Sequence, residues 1–171
     1  MKISLNWISD YVDLDGVDLK SLINKFTLST AEVEDMYEVG KNVSGIICAK
    51  VLTCENHPKS DHLHILTVDT GSGVVDCICG AKNVRAGMLV AFAPVGSRVV
   101  ECEITEATIA GYKSQGMCCS KEELGLEEKS DGIWEIEDDL ALGTDLKDVY
   151  EIEDTIFEVD NKSLTNRPDL W

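Results

Sequence analysis

No stretch of this 171-residue sequence is long and apolar enough to cross a bilayer as a helix. The longest uncharged run, Ala86 to Ser97, contains Pro94 and two glycines and falls far short of the ~20 apolar residues required. Near the start, Lys2, Asn6 and Asp10 interrupt the region where a secretory signal carries its apolar core, so a cytoplasmic location is expected and no membrane partner. Positive charge is scarce. Against 32 Asp+Glu there are 15 Lys+Arg, and the net charge of −17 argues against an unspecific polyanion binder, because an evenly acidic surface repels phosphates. Catalytic signatures are missing as well. Gly71 and Gly73 lack the third glycine of a dinucleotide loop, no phosphate loop ends in Gly-Lys-Ser/Thr, no His-Glu-x-x-His occurs, and no serine sits in a nucleophile elbow. No autonomous active site is expected, and no resident cofactor.

What is present reads as an ordinary globular chain. With 44% hydrophobic and 27% charged residues, disorder and fibrous classes are set aside, and the length suits one domain or two small ones. Seven cysteines are an odd number and a chain of this size needs no disulfide framework, so reduced thiols are expected. The acid is unevenly spread. Lys41 to Lys121 holds eight basic and seven acidic residues, a balance of +1, whereas Glu122 to Asp160 holds two basic and sixteen acidic, a balance of −14. The middle of the chain is thus electrostatically free to meet an anion, and the acidic block reads first as a solvated face.

Hydrophobic spacing divides the chain at Gly40. Before it, Ile3 to Val12 passes from alternating to helical spacing and predicts a short strand running into a helix that ends before Gly16. Asp18 is the expected N-cap of a second helix carrying Leu19, Leu22, Ile23 and Phe26 on one face, and Thr30 to Val39 alternates as a strand. From Ser44 the texture turns to β-rich runs: Gly45 to Cys54, Leu63 to Asp69, Val74 to Cys79 and Leu89 to Ala93, with Glu103 to Ile109 and Gly116 to Cys119 as further candidates. His57-Pro58, Gly80, Gly87, Pro94 to Gly96 and Gly111 punctuate them at small-barrel spacing, and a closed five-strand barrel fits best. Ser120 ahead of Glu122-Glu123-Leu124 predicts a capped helical turn, Ile133 to Ile136 a late strand and Thr155 to Val159 a final one. The patterned stretch Asn161 to Trp171 suggests a fragment of something longer.

Two constellations carry candidate chemistry. Cys54, His57, His62 and His64 lie within eleven residues and could in number supply four zinc ligands. Their spacing is unlike paired Cys-x-x-Cys sites, and buried cysteines with surface histidines are the expectation, hence no metal. The second is cationic. Lys59, Ser60 and His62 in one loop, Lys82, Asn83 and Arg85 in another, and Lys113, Ser114 and Gln115 in a third offer phosphate donors that a small barrel could bring to one side. The plainer reading makes them solvated loop residues. Between Lys41 and Lys121 only Phe92 and Tyr112 are aromatic, so stacking of unpaired bases has few platforms, and any RNA contact is expected through backbone and shape.

The segments MKISLNWISDYVDL, HPKSDHLHILTVDTG, CGAKNV, IAGYKSQGMCCSKEELGL and TNRPDLW, taken in order, resemble the N-terminal part of bacterial phenylalanyl-tRNA synthetase beta subunits across essentially the whole chain. The resemblance implies a mainly β, α+β fold in which an oligonucleotide-binding (OB-fold) barrel, residues 40–150, is inserted into a small split domain formed by 1–39 and 151–171. It implies an accessory tRNA-binding and structural role, tRNA rather than DNA as partner, and an alpha subunit in a two-alpha, two-beta assembly. The implied parent enzyme uses ATP and magnesium to join phenylalanine to tRNA, with catalysis outside this chain. Its motif positions fall on His57, Pro58, Asp61 and Leu63, on Gly80, Ala81, Asn83 and Val84, and on Ser114, Gly116, Met117, Cys119 and Ser120. Chemically these point first to loop architecture: Gly80 and Gly116 for tight turns, Asp61 and Asn83 for side-chain ties to backbone. Here His62 stands where the family often has arginine, and Lys82 where proline is common. Asn166-Arg167-Pro168-Asp169 implies a rigid turn with an Arg–carboxylate contact. A second expectation, of another class, is a docking module whose acidic stretch meets protein partners without touching RNA.

Overall fold

A computed structural model describes residues 1–160 of the chain. The expected turn at Asn166 to Asp169 lies outside the described residues. In chain order the elements are β1 (Lys2–Ser4), α1 (Leu5–Ser9), α2 (Leu19–Ser29), β2 (Val33–Val39), β3 (Ile47–Asn56), β4 (His64–Asp69), β5 (Val74–Cys79), β6 (Leu89–Pro94), β7 (Ala107–Ile109), β8 (Tyr112–Ser114), β9 (Gly116–Cys118) and β10 (Asp154–Val159). They form two compact units, one of Met1–Val39 with the residues from Glu153, the other Gly40–Ile152. The second boundary lies two residues beyond the expected 150, because Ile152 is buried in the core of the larger unit.

In the smaller unit β10 is the middle strand of an antiparallel sheet ordered β1-β10-β2. Ser4 ends β1 and starts α1, its Oγ accepting the Trp7 N–H at 3.0 Å. Asp18 caps α2 by accepting the Ser21 N–H at 3.0 Å. The helix turns Leu19, Leu22, Ile23 and Phe26 onto Ala31, Phe157 and Val159.

The larger unit is a nearly closed five-stranded barrel of OB type. All its strand pairs are antiparallel, in the order β5-β4-β3-β6-β9. The seam between β5 and β9 is bridged by the chain leading into β9: the Gln115 N–H reaches Asp76 O at 2.8 Å and the Ile78 N–H reaches Ser114 Oγ at 3.1 Å. Ala49, Val51, Leu66, Val68, Cys77, Val90 and Phe92 fill the interior. Strands β3 and β6 are buried on their other face too, where Cys48, Ala91 and Ala93 meet Leu124, Ile136, Leu146 and Ile152. The acidic stretch therefore lays an apolar row on the barrel wall and leaves its carboxylates outward. Its backbone is fastened there by Cys48 N–H to Thr144 O at 2.9 Å and Leu146 N–H to Ile46 O at 2.8 Å.

Three local expectations are corrected. Of Glu103 to Ile109 only Ala107–Ile109 is strand; Ile104 instead turns inward, its N–H bonded to Ser97 O at 2.8 Å. Ile133 to Ile136 runs beside β6 where β9 has ended, too briefly for more than a single bridge, Val90 to Glu135. The Ser120 cap forms, with Glu123 N–H to Ser120 Oγ at 3.2 Å and Ser120 N–H to Glu123 Oε2 at 2.6 Å, but it opens a series of turns and no helix follows.

Candidate nucleic-acid interface

The β3–β4 loop and the start of the β5–β6 loop lie at one end of the barrel, where β3 and β5 finish and β4 begins, and the β7–β8 hairpin reaches the first of them through Tyr112. In the β3–β4 loop His57 is buried and organises the turn: its Nδ1 accepts the Lys59 N–H at 3.1 Å and its own N–H bonds to Leu63 O at 2.9 Å. Ser60 Oγ accepts the His62 N–H at 3.3 Å. These are the ties expected of Asp61, made by other side chains. Lys59 and His62 face solvent and Ser60 is half-buried.

Strands β7 and β8 form a hairpin turned by Ala110 and Gly111, with φ of 50° and 90°. The hairpin carries Tyr112 onto the first loop, its ring edge-on to His57 with centroids 4.9 Å apart. Phe92 is fully buried, which leaves Tyr112, 38% exposed, as the aromatic face available at this end of the barrel. Sequence reasoning recorded Tyr112 without placing it; its pairing with Ile109 across a Gly turn was the available signal.

The β5–β6 loop starts beside the first, since a side chain at Gly80 would lie 3.8 Å from His62 O. Gly80 keeps ordinary backbone angles, so the tight-turn expectation holds at Gly116, with φ 139°, and fails at Gly80. Lys82 is exposed. Asn83 is a structural clamp: its Nδ2 donates to Ile133 O at 2.8 Å and its Oδ1 accepts the Ile133 N–H at 3.0 Å. Ser114 is equally committed, buried between the Ile78 N–H at 3.1 Å and Gly116 O at 3.0 Å.

Carboxylates are interleaved with the remaining cations. Arg85 pairs with Glu135. Lys113 Nζ lies 2.9 Å from Glu106, whose Oε2 also accepts from Gln115 Nε2 at 3.3 Å. These pairs are solvent-exposed and are each worth little, about 1 kcal/mol or less, so an incoming phosphate competes with them readily. Lys59 and Lys82 form no ion pair among the described residues.

The clamp makes a clear expectation. Asn83→Ala strands both polar groups of Ile133 and should cost about 1–3 kcal/mol in urea unfolding, with RNA affinity unchanged wherever the variant is folded. A loss of RNA affinity at unchanged stability would instead make Asn83 a direct contact.

Two of the four candidate zinc ligands are drawn into other contacts. Cys54 Sγ donates to Val84 O at 3.8 Å, and His57 holds its loop. Among the described residues no group of three or more His, Cys, Asp or Glu is placed to hold a metal ion, and no helix is long and apolar enough to cross a membrane. A cleft of about 510 Å³ opens beside β5, β9 and the β7–β8 hairpin, lined by Cys79, Cys102, Cys118, Glu103 and Glu123 and by no lysine or arginine.

Comparison with known proteins bears on this geometry directly. Residues 46–145 match the family model described as "Putative tRNA binding domain". The whole chain is 38% identical to a Phenylalanine–tRNA ligase beta subunit of Leptospira interrogans, of which it covers 21%. A beta subunit from Gloeobacter violaceus is 39% identical over 99% of this chain and 22% of its own length, and one from Syntrophus aciditrophicus 35% identical over 93% and 20%. The chain thus spans about a fifth of the relatives it matches. With the barrel, its seam and the matched residues in agreement, the chain belongs to the tRNA-binding domain family found in phenylalanine–tRNA ligase beta subunits.

Proposed function

We propose that the barrel end formed by the β3–β4 loop, the β7–β8 hairpin and the start of the β5–β6 loop is an accessory tRNA-binding surface of a phenylalanine–tRNA ligase beta subunit. The observation that carries it is the seating of Tyr112 on His57, which joins two of the cationic segments, while Gly80 starts the third beside the first loop. In barrels of this topology oligonucleotides lie across the second and third strands and against the first and last long loops. Here those are β4, β5, the β3–β4 loop and the connection bearing β7 and β8. Lys59, Lys82 and Lys113 supply phosphate charge, Ser60, His62 and Gln115 polar contacts, and Arg85 joins them once Glu135 is displaced.

In this reading the chain contributes RNA affinity and leaves the chemistry to the rest of a larger enzyme, which pairs two such beta chains with two alpha chains and uses ATP and magnesium to charge tRNA in the cytoplasm. The identity over the full chain to beta subunits supports the assignment. So does the absence of any catalytic motif from the sequence.

Titrating the protein with tRNA at about 50 and 200 mM salt tests it. A surface making two or three phosphate contacts should lose roughly tenfold in affinity or somewhat more across that interval. No binding at the lower salt overturns the proposal and favours docking of a protein partner through the acidic face.

A further inference from the structure

The thiol-lined cleft adjoins the RNA surface, sharing Gly80, Ala81, Ile109 and Ser114 with it, and has its own chemistry. Cys79 ends β5, lines the cleft, and receives the Ala81 N–H on its sulfur at 3.4 Å. Cys118 ends β9 on the other side of the seam, lines the same cleft, and packs with Cys77 and Cys79 in one core cluster. Cys77 lies behind both, fully buried, with its Sγ donating to Gly116 O at 3.5 Å.

We propose that Cys79 is an oxidant-sensitive thiol and that Cys118 is its resolving partner, so that hydrogen peroxide admitted to the cleft closes a disulfide across the β5–β9 seam. In the first step the Cys79 thiolate attacks one peroxide oxygen; an S–O bond forms, the O–O bond breaks, and hydroxide leaves to take up a proton from solvent. Sulfur is oxidised by two electrons to the sulfenic acid as peroxide is reduced to water. In the second step Cys118 sulfur attacks Cys79 sulfur; the S–S bond forms, the S–O bond breaks, and the hydroxide departs as water with the Cys118 proton.

The two thiols are suited to different parts. The Cys118 hydrogen bond and then the Ala81 N–H bring the Cys79 thiol down to about 7, against burial and the Glu123 carboxylate, which push the other way. Cys118 is held well above the ordinary range by its bonds to Cys77 and Cys79 and by burial. The other groups facing Cys79 are Cys54 and, directly opposite it in the β4–β5 register, His64. Cys119 is pushed up by burial, and Cys48 likewise. Exposed Cys102 shares the cleft and serves as the internal control.

The test is exposure of the reduced, purified protein to equimolar hydrogen peroxide, followed by alkylation and peptide mass spectrometry. Wild type should lose two hydrogens, mapped to a Cys79–Cys118 cross-link. Cys118→Ser should instead gain one oxygen at Cys79, trapped by a cyclic 1,3-diketone, and Cys102→Ser should behave as wild type. Cys79→Ser and Cys79→Ala, each checked for wild-type unfolding by urea, should give neither product. Oxidation confined to Cys102, or a Cys118 cross-link that persists without Cys79, overturns the proposal.

Discussion

Placing valine at Gly116 should remove a large part of the protein's stability, and alanine there should already move the urea midpoint sharply downward. Gly116 opens β9 with φ at 139°, a backbone region that residues with a Cβ rarely enter. An added Cβ would also collide with the ring of Phe92 and come within 2.8 Å of Ala93 O. Neither neighbour can retreat. Phe92 is fully buried in the barrel interior, and the Ala93–Met117 and Pro94–Gly116 pairs fix the adjoining backbone. Backbone strain of about 1–3 kcal/mol and overpacking of about 1–3 kcal/mol add to roughly 2–6 kcal/mol, a large share of typical stabilities of about 5–15. The same residue offers its carbonyl to Ser114 Oγ at 3.0 Å and Cys77 Sγ at 3.5 Å, so a shift of Gly116 also loosens the seam. Gly73 is the control: a Cβ there meets nothing within 4 Å, and Gly73→Ala should stay within about 0.5 kcal/mol. Equal effects at both positions would remove Gly116 from any special role.

How far the sequence foretold this fold depends on the range of the interactions involved. Val74 to Cys79 and Leu89 to Ala93 announce themselves because turn residues bound an apolar run, and both appear within a residue of where they were expected. Asp18 and Ser120 were legible as caps because a cap is a contact three residues long. Strand β8 was not, because Gly111 reads as a breaker until it is known that Ala110 also takes a positive φ and turns a hairpin. The acidic stretch hid its apolar row, since Leu124, Ile136, Leu146 and Ile152 follow no single period and are selected only by the wall of β3 and β6. The site divides in the same way. Loop positions of Lys59 and Lys82 follow from the turn signals, whereas Lys113, expected in a loop, lies on strand β8, and the commitment of Asn83 to Ile133, fifty residues away, and of Ser114 to Ile78 is a long-range fact. So is the pairing of Arg85 with Glu135, which charge counting over segments assigned to the acidic block, away from the cations.

The interleaving of carboxylates with cations permits a test with opposite signs on one surface. Reversing Lys59 and Lys82 to glutamate should weaken tRNA binding by roughly thirty- to hundredfold near 0.1 M salt, because each lost phosphate contact removes a counterion-release contribution of about five- to eightfold and the new carboxylates add repulsion. The salt dependence should flatten along with it, by about 0.7–0.9 in log–log slope per contact. Glu106→Gln and Glu135→Gln should do the reverse. Each removes an exposed carboxylate, frees Lys113 with Gln115 or Arg85, and should tighten binding several-fold at the same salt while leaving stability within about 1 kcal/mol. The acidic carboxylates farther along the chain, such as Glu137 and Asp139, make a neutral comparison, for their removal alters net charge equally without touching the barrel end. If Glu137→Gln and Asp139→Asn strengthen binding as much as Glu106→Gln and Glu135→Gln, then overall charge governs the affinity and the three segments do not form a site. A selective gain at Glu106 and Glu135, paired with the loss at Lys59 and Lys82, locates the RNA at the end of the barrel where Tyr112 meets His57.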